Sequence, residues 1–98
     1  MKLKWTRKAA GDLTQIRSYY IHQGNPSAAK DVALQLAALA ETLIQHPAKG
    51  RAGRAPNTRE LVVPDLPYII VYRARDKQIE ILRVIHTSRK WPDNPSAV

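Results

Sequence analysis

The side chains of this sequence that could do chemistry are concentrated in its second half. Arginine guanidinium groups bind phosphates or stabilise a developing negative charge, histidine titrates near neutral pH, and tryptophan can stack on a nucleotide base. The candidates of these types, in chain order, are Arg59, Arg73, Arg83, His86, Arg89 and Trp91. Cleavage of RNA by attack of a 2′-hydroxyl needs such residues, and we expect strand pairing to bring them together at one end of a sheet.

Three of these candidates also have a structural explanation. Arg73 could pair across two strands with Glu80. His86 could simply end a strand, and Trp91 could hold the C-terminal segment against the sheet. Both explanations therefore stay open for each residue.

Other catalytic arrangements are missing from the sequence. The histidines His22, His46 and His86 are far apart and no carboxylate cluster accompanies them, so no metal site is predicted. The sequence has no cysteine nucleophile, no phosphate-binding glycine loop and no serine in a triad-like pattern. We expect neither a cofactor nor ordinary hydrolase chemistry.

The charge of the chain is strongly positive. Sixteen Lys and Arg against eight Asp and Glu give a net charge of +8. The residues from Lys49 onward contribute ten basic side chains, seven of them Arg, and five acidic ones. Four cations precede the first acid of this half, Glu60, and they are Lys49, Arg51, Arg54 and Arg59. Solubility is one explanation, but this concentration of arginine favours an acidic partner.

Length and composition predict a single domain and indicate the compartment in which the protein works. It is 98 residues long with 44% hydrophobic residues, which is enough for one core and too short for two. It has no signal peptide pattern and no apolar run long enough to span a membrane, and it lacks cysteine. We expect a cytoplasmic protein with no membrane partner.

The first half predicts a strand followed by two helices. Leu3 and Trp5 alternate with lysines, and Thr6 can cap a helix that ends near Gly24. Asn25 followed by a proline is typical of a second helix start, and that helix should end at His46. Its apolar stripe is unusually wide, so we expect it to be covered on more than one side.

The second half predicts a loop and three strands. We call the segment from Ala48 to Thr58 the basic loop and expect it to be mobile without a ligand. Strands are predicted for Glu60 to Val63, Tyr68 to Arg75 and Gln78 to His86, the last two joined by a two-residue turn. Helices before strands indicate an α+β fold in which an antiparallel helical hairpin packs on one face of a small antiparallel sheet.

The two longest strands should pair with a fixed register. If residue i lies opposite residue 153 minus i, one face is the core, made of Tyr68, Ile70, Tyr72, Ile79, Ile81 and Ile85. The other face, which we expect to be uncovered, then carries Ile69, Val71, Arg73, Glu80, Leu82, Val84 and His86. Arg83 interrupts the core face, and we expect it to reach the rim or to pair with an acid.

An ordered set of motifs resembles the RelE/ParE toxins of type II toxin–antitoxin modules. The matching residues are Trp5, Thr6, Ala9, Asp12, Leu13, Ile16 and Tyr19, then Thr58 to Val63, Pro67 to Arg73, Ile81 to His86, and Arg89 with Trp91. The resemblance implies a single toxin domain over residues 1–91 with a polar tail over 92–98. It also implies a hetero-oligomer with a cognate antitoxin, commonly one with a ribbon-helix-helix DNA-binding domain.

The resemblance leaves the target open between two branches. RelE-like toxins cleave mRNA on the ribosome, and ParE-like toxins poison DNA gyrase. The nuclease branch carries an Arg where this chain has Ile69, and a C-terminal Tyr where it has only Trp91. Loss of a phosphate-binding Arg would remove charge that the cleavage transition state needs, so we favour the gyrase branch and a chain that is not an enzyme.

Two alternatives remain. As a ribosome-dependent endoribonuclease, the chain would use Arg59, His86 and Arg89. As a non-toxic basic module, it would serve only as a partner in a regulatory complex. In every case the residues expected to contact the target or the antitoxin are Lys49, Arg51, Arg54, Arg59, Arg73, Arg83, His86, Arg89 and Trp91.

Overall fold

The computed structural model describes residues 1–88, and residues 89–98 lie outside the described part of the chain. Arg89, Trp91 and the polar tail fall among the latter. The helices are α1 (Arg7–His22) and α2 (Pro26–Gln45). The strands are β1 (Lys2–Trp5), β2 (Arg51–Ala52), β3 (Arg59–Val62), β4 (Tyr68–Arg75) and β5 (Gln78–His86).

Local capping signals set the helix starts. The Thr6 hydroxyl accepts a hydrogen bond from the Ala9 amide at 3.2 Å and donates to the Ile81 carbonyl at 2.9 Å, which ties the start of α1 to β5. Asn25 directly precedes the proline that starts α2, and its side chain accepts a hydrogen bond from the Ala28 amide at 3.1 Å. Both predicted helices are confirmed.

The sheet has five strands in the order β1-β5-β4-β3-β2. The α+β architecture is confirmed, but the sheet is mixed, because β1 pairs parallel with β5 whereas the other neighbours are antiparallel. The short strand β2 lies inside the segment that we expected to be a loop, and it pairs Arg51 with Glu60. A two-residue strand carries no hydrophobic alternation, so the sequence could not indicate it.

The hairpin of β4 and β5 departs from the predicted register at one point. Its turn is formed by Asp76 and Lys77, both with positive φ, as a two-residue turn that follows the sheet twist requires. The register holds from the turn as far as Tyr72 and Ile81. It then shifts by one residue at a β-bulge, because Ile81 pairs and Leu82 is left as the extra residue.

The bulge exchanges residues between the two faces. Val84 lies in the main core under the helices, while Ile85 joins the opposite face, so their predicted positions were wrong. His86 lies opposite Tyr68 and contacts its ring, which places it on the helix side and not beside Ile69 as predicted. One extra residue therefore places Val84, Ile85 and His86 on the faces opposite to those predicted.

The main core lies between the helices and the sheet. It joins the buried stripe of α2 with β3, β4 and β5, and its largest fully buried side chains include Tyr72, Leu36 and Leu43. The opposite face is not bare, since Ile69, Val71, Leu82 and Ile85 form a second cluster with each side chain at most 8% exposed. The predicted uncovered face is therefore wrong for Ile69, Val71 and Leu82, the three of these residues that were expected there.

None of the helices in the described part of the chain is long and apolar enough to cross a membrane.

Candidate functional site

A groove of about 640 Å³ lies between α1 and the ends of β4 and β5. Aromatic rings of both layers line it, together with a few polar groups. The side chains that matter below are Asp12, Tyr19, Tyr20, Tyr68, Arg83 and His86. A concave apolar surface with a few convergent polar groups is typical of a binding site.

An ion pair forms one wall of this groove. Arg83 donates from Nε to Asp12 at 2.8 Å and from a terminal nitrogen at 3.1 Å. The Val84 amide, beside the bulge, donates to the same carboxylate at 2.9 Å. The hydrogen bond to Asp12 raises the pKa of Arg83 above its ordinary value, although burial opposes it, so the guanidinium stays charged. The expectation that Arg83 pairs with an acid is confirmed.

His86 occupies the other end of the groove. Its Nδ1 accepts from the Ser88 amide at 3.1 Å and lies 2.7 Å from the Ser88 hydroxyl. These contacts with Ser88 occupy Nδ1, so Nε2 is the ring nitrogen that Ser88 leaves unoccupied. The ring meets Tyr68 edge to face, with centroids 5.4 Å apart. His86 is therefore held in one orientation by its neighbours.

The basic loop forms a second surface, and its backbone is held from below by Tyr72. The phenol of Tyr72 is fully buried, donates to the Pro47 carbonyl at 2.8 Å and accepts from the Gly50 amide at 2.8 Å. A Cβ on Gly50 would come within 2.8 Å of the Tyr72 ring, so only glycine fits there. The loop is thus fixed to the core at its first residues.

Glu60 and Arg59 hold the remainder of the loop. The Glu60 carboxylate, 2% exposed, accepts from the Arg54 amide at 2.8 Å and lies 3.4 Å from the Arg51 guanidinium. Arg59 donates to the Gly50 carbonyl at 2.8 Å. These contacts tie the loop backbone to the core and to β3 at Gly50 and Arg54.

Arg73 has the structural role that the sequence left open. Its Nε donates to Glu80 at 2.7 Å, across β4 and β5. This hydrogen bond lowers the pKa of Glu80, burial opposes it, and the positive charges of Arg75 and Lys4 lower it further.

The predicted candidates do not form one cluster. Arg83 and His86 line the groove, whereas Arg59 lies beside the basic loop. Arg59 is opposite Tyr72 and His86 is opposite Tyr68, which separates them by four residues along β4 and by two strand spacings. That separation is about 17 Å at the usual strand dimensions. Arg89 and Trp91 fall outside the described residues, and within residues 1–88 no group of three His, Asp or Glu could hold a metal.

Sequence reasoning gave no role to several residues that build these two surfaces. Asp12, Glu60, Tyr72 and Ser88 each hold a candidate residue or the basic loop through a hydrogen bond. Asp12 is a lone acid on the inner side of an amphipathic helix. This position was the available signal for its role, because a half-buried carboxylate needs a hydrogen-bond or ion-pair partner.

Three of the exposed large apolar side chains lie on the helices, and one of these, Tyr19, lines the groove. Tyr19 is 57% exposed. Ile21 lies near the C-terminal end of α1, and Leu34 on α2 is 59% exposed. The second helix packs against α1 and against the sheet, as predicted, and Leu34 stays exposed beyond these contacts.

Comparison with known proteins gives concordant results. Residues 3–91 match the family described as "ParE toxin of type II toxin-antitoxin system, parDE". The chain is 41% identical over 91 residues to "Putative toxin Y4kP" of Sinorhizobium fredii, covering 93% of each protein. It is also 41% identical over 85 residues to "Toxin RelE2" of Caulobacter vibrioides, covering 87% of this chain and 93% of that protein.

A solved structure has the same fold. It is described as "Chromosomal ParDE TA system from P. aeruginosa" and superposes with a TM-score of 0.82 at 31% sequence identity. The match covers 90% of this chain and 97% of the other.

Proposed function

The chain belongs to the ParE toxin family of type II toxin–antitoxin systems, and we propose that it arrests growth by binding and inhibiting DNA gyrase. As the toxin of such a module it has an antitoxin as its partner. The target and the form of the antitoxin are the parts that we infer.

The observation that carries the proposal is the environment of Ile69. Its side chain is 8% exposed and packs with Val71, Leu82 and Ile85 in the second apolar cluster. The RelE-like nucleases that this chain resembles carry a phosphate-binding Arg at this position. An apolar cluster offers a phosphate no charge and no hydrogen-bond donor, so this surface supports toxicity by binding and not by RNA cleavage.

The spacing of the remaining nuclease candidates points the same way. Arg59 is about 17 Å from His86 by strand geometry, and its guanidinium is engaged with the loop backbone. A general base and a charge-stabilising group must both lie within about 3 Å of the reacting atoms. In this arrangement the Arg59 guanidinium is bound to the Gly50 carbonyl and is not directed to the groove that holds His86.

The antitoxin is proposed to cover the groove and the exposed apolar residues around it. Tyr19, Ile21 and Leu34 would be buried by the apolar side of a partner segment, and the net charge of +8 favours an acidic one. We propose a ribbon-helix-helix domain for the DNA-binding part of this antitoxin, because the RelE/ParE resemblance implies one. Covering the groove would block any target that uses the same surface.

Ribosome-dependent mRNA cleavage stays as the second candidate, on one observation. His86 and Arg83 lie in the same groove, and Ser88 contacts Nδ1 of His86 and not Nε2. One relative of the chain also bears the name "Toxin RelE2". A histidine near a charged guanidinium could serve as general acid in RNA cleavage.

Induction in cells separates the two candidates. The wild-type chain and the His86→Ala and His22→Ala variants are expressed with and without the neighbouring antitoxin gene. Plasmid supercoiling and new mRNA ends are then measured, the latter by primer extension. The proposal predicts growth arrest, relaxed plasmid and no new mRNA ends for all three chains, with rescue by the antitoxin. New mRNA ends that only His86→Ala abolishes would establish the nuclease, and harmless expression of all three would favour a non-toxic binding module.

A further inference from the structure

We propose that the basic loop is a preorganised binding surface for the phosphate backbone of a nucleic acid, with Lys49, Arg51 and Arg54 as the contacting residues. The groove plays no part in it, and it does not depend on gyrase being the target. It assigns to this chain a contact of its own with nucleic acid, independent of any DNA-binding antitoxin.

The first argument is that the loop is built to hold one conformation. Gly50 lies against the Tyr72 ring, and the Gly53 amide donates to the Thr58 carbonyl at 2.8 Å, which closes a turn. The Thr58 hydroxyl donates to the Ala55 carbonyl at 2.7 Å inside that turn. A solvated run of charge needs no such framework, whereas a binding surface gains affinity when its conformation is fixed beforehand.

The second argument is where the charges lie. Lys49, Arg51 and Arg54 all have exposed side chains, with Arg51 at 60%. Glu60, the acid beside them, is 2% exposed. The Arg54 amide donates to one of its oxygens, and the Arg51 guanidinium lies 3.4 Å from the other. The loop therefore turns cations toward solvent and keeps its carboxylate beneath the backbone, so that a partner meets a positive surface.

The third argument decides the class of partner. Among the described residues, the large apolar side chains that are exposed are Met1, Tyr19, Ile21, Leu34 and Val62, and none of these lies in the basic loop. A protein partner normally needs an apolar centre to bind stably, whereas binding to a phosphate backbone is dominated by charge. The loop therefore fits nucleic acid better than an acidic protein.

The dimensions are also suitable. The segment from Lys49 to Arg54 spans at most about 17 Å, five residues at about 3.4 Å each. Duplex DNA carries one phosphate charge per about 1.7 Å of its axis, so a duplex of that length offers about ten phosphates. Three cations on one segment can each contact a different phosphate, and arginine can do so with two hydrogen bonds.

The experiment measures binding of the purified chain to a labelled 20-base-pair DNA duplex by fluorescence anisotropy across a salt series. The test variant combines Lys49→Gln, Arg51→Gln and Arg54→Gln. The control combines Arg7→Gln, Arg17→Gln and Lys30→Gln, which removes the same charge from exposed helix positions. Circular dichroism and Tm confirm that both variants fold.

For the loop variant, the proposal predicts a slope of log association constant against log salt concentration that is smaller in magnitude by about 2 to 3. Each lost phosphate contact reduces that slope by about 0.9. The control should keep nearly the full slope. Equal losses in the two variants would show that net charge alone drives binding and would overturn the proposal.

Two further probes sharpen the result. An RNA duplex of the same length identifies which nucleic acid supplies the phosphates. Both duplexes offer the proposed phosphate contacts, so the one that the chain binds more tightly is the better candidate for the natural ligand. Polyglutamate tests an acidic protein as the alternative. If the loop variant weakens polyglutamate binding and leaves DNA binding unchanged, the surface belongs to an acidic protein and the proposal is wrong. Gyrase is absent throughout, so the outcome does not depend on the proposed function.

Discussion

The carboxylate of Asp12 on α1 holds the guanidinium of Arg83 on β5 through two hydrogen bonds of 2.8 and 3.1 Å. The same carboxylate accepts the Val84 amide, so it contacts β5 directly after the bulge. One acid therefore attaches the first helix to the sheet and neutralises a cation that interrupts the apolar face. This contact lies directly beside the bulge that turns His86 into the groove.

Replacing Asp12 with alanine should destabilise the fold by about 2–3 kcal/mol. Loss of one partner of a buried ion pair typically costs about 3–5 kcal/mol, and partial exposure screens this pair. Arg83 and Asp12 keep 25% and 13% of their side-chain surface exposed. Urea denaturation measures the change.

Two controls separate pairing from charge. Asp31→Ala, at an exposed position of α2, should change stability by less than about 0.5 kcal/mol. Arg83→Met added to Asp12→Ala should recover part of the loss, because no unpaired guanidinium then remains. A double variant as unstable as the sum of its parts would contradict the pairing.

Tyr72→Phe should loosen the basic loop without disturbing the core. The change removes a buried hydroxyl and leaves the Gly50 amide without its partner, which should cost about 1–3 kcal/mol. Hydrogen exchange at Gly50 should accelerate relative to the strands. The matched variant Tyr19→Phe, at a ring that is 57% exposed, should leave exchange in the loop unchanged.

Two glycine substitutions should act in opposite directions. Gly50→Ala places a Cβ 2.8 Å from the Tyr72 ring and 2.9 Å from the Glu60 carbonyl oxygen, so we expect a loss of about 1–3 kcal/mol. Gly11 lies within α1 with open space around it, so Gly11→Ala should stabilise the protein by about 0.5–1 kcal/mol. Thermal denaturation compares the two, and a neutral Gly50→Ala would show that the loop is not held by Tyr72.

Glu80 should contribute stability that is lost in acid. Its pKa in the folded state is lowered by the hydrogen bond from Arg73, so the folded protein favours the ionised form. The contribution is present above the ordinary value of 4.5 and is lost as the pH falls through the lower folded value. Glu80→Gln should therefore make Tm fall less steeply with pH below 4.5. A dependence of Tm on pH in this acidic range that the substitution leaves unchanged would contradict the pairing with Arg73.

Local features of the fold could be predicted from the sequence, because their causes lie within a few residues. The caps at Thr6 and Asn25, the two-residue turn at Asp76 and the bounds of β4 and β5 follow from neighbouring residue types. The pairing of Arg83 with an acid also followed, since an isolated guanidinium cannot be buried cheaply.

Features with distant causes could not be predicted. The bulge after Ile81 is stabilised by Asp12, 72 positions before Val84, and no pattern within β5 marks it. The predicted faces were therefore right before the bulge and wrong for Val84, Ile85 and His86 after it. The basic loop is hydrogen-bonded to Tyr72, 22 residues from Gly50, and nothing in its own composition indicates that contact. The predicted site residues do not form one cluster for the same reason, because the strand register decides which arginine side chains lie close together.

Supercoiling of relaxed plasmid by purified DNA gyrase tests the central claim most directly. The purified chain is added over a range of concentrations, with the cognate antitoxin in a parallel series. The account predicts that supercoiling is inhibited in proportion to the added chain and restored by the antitoxin. Full gyrase activity at a concentration of the folded chain that arrests translation of an mRNA in parallel would contradict it and establish the ribosome as the target.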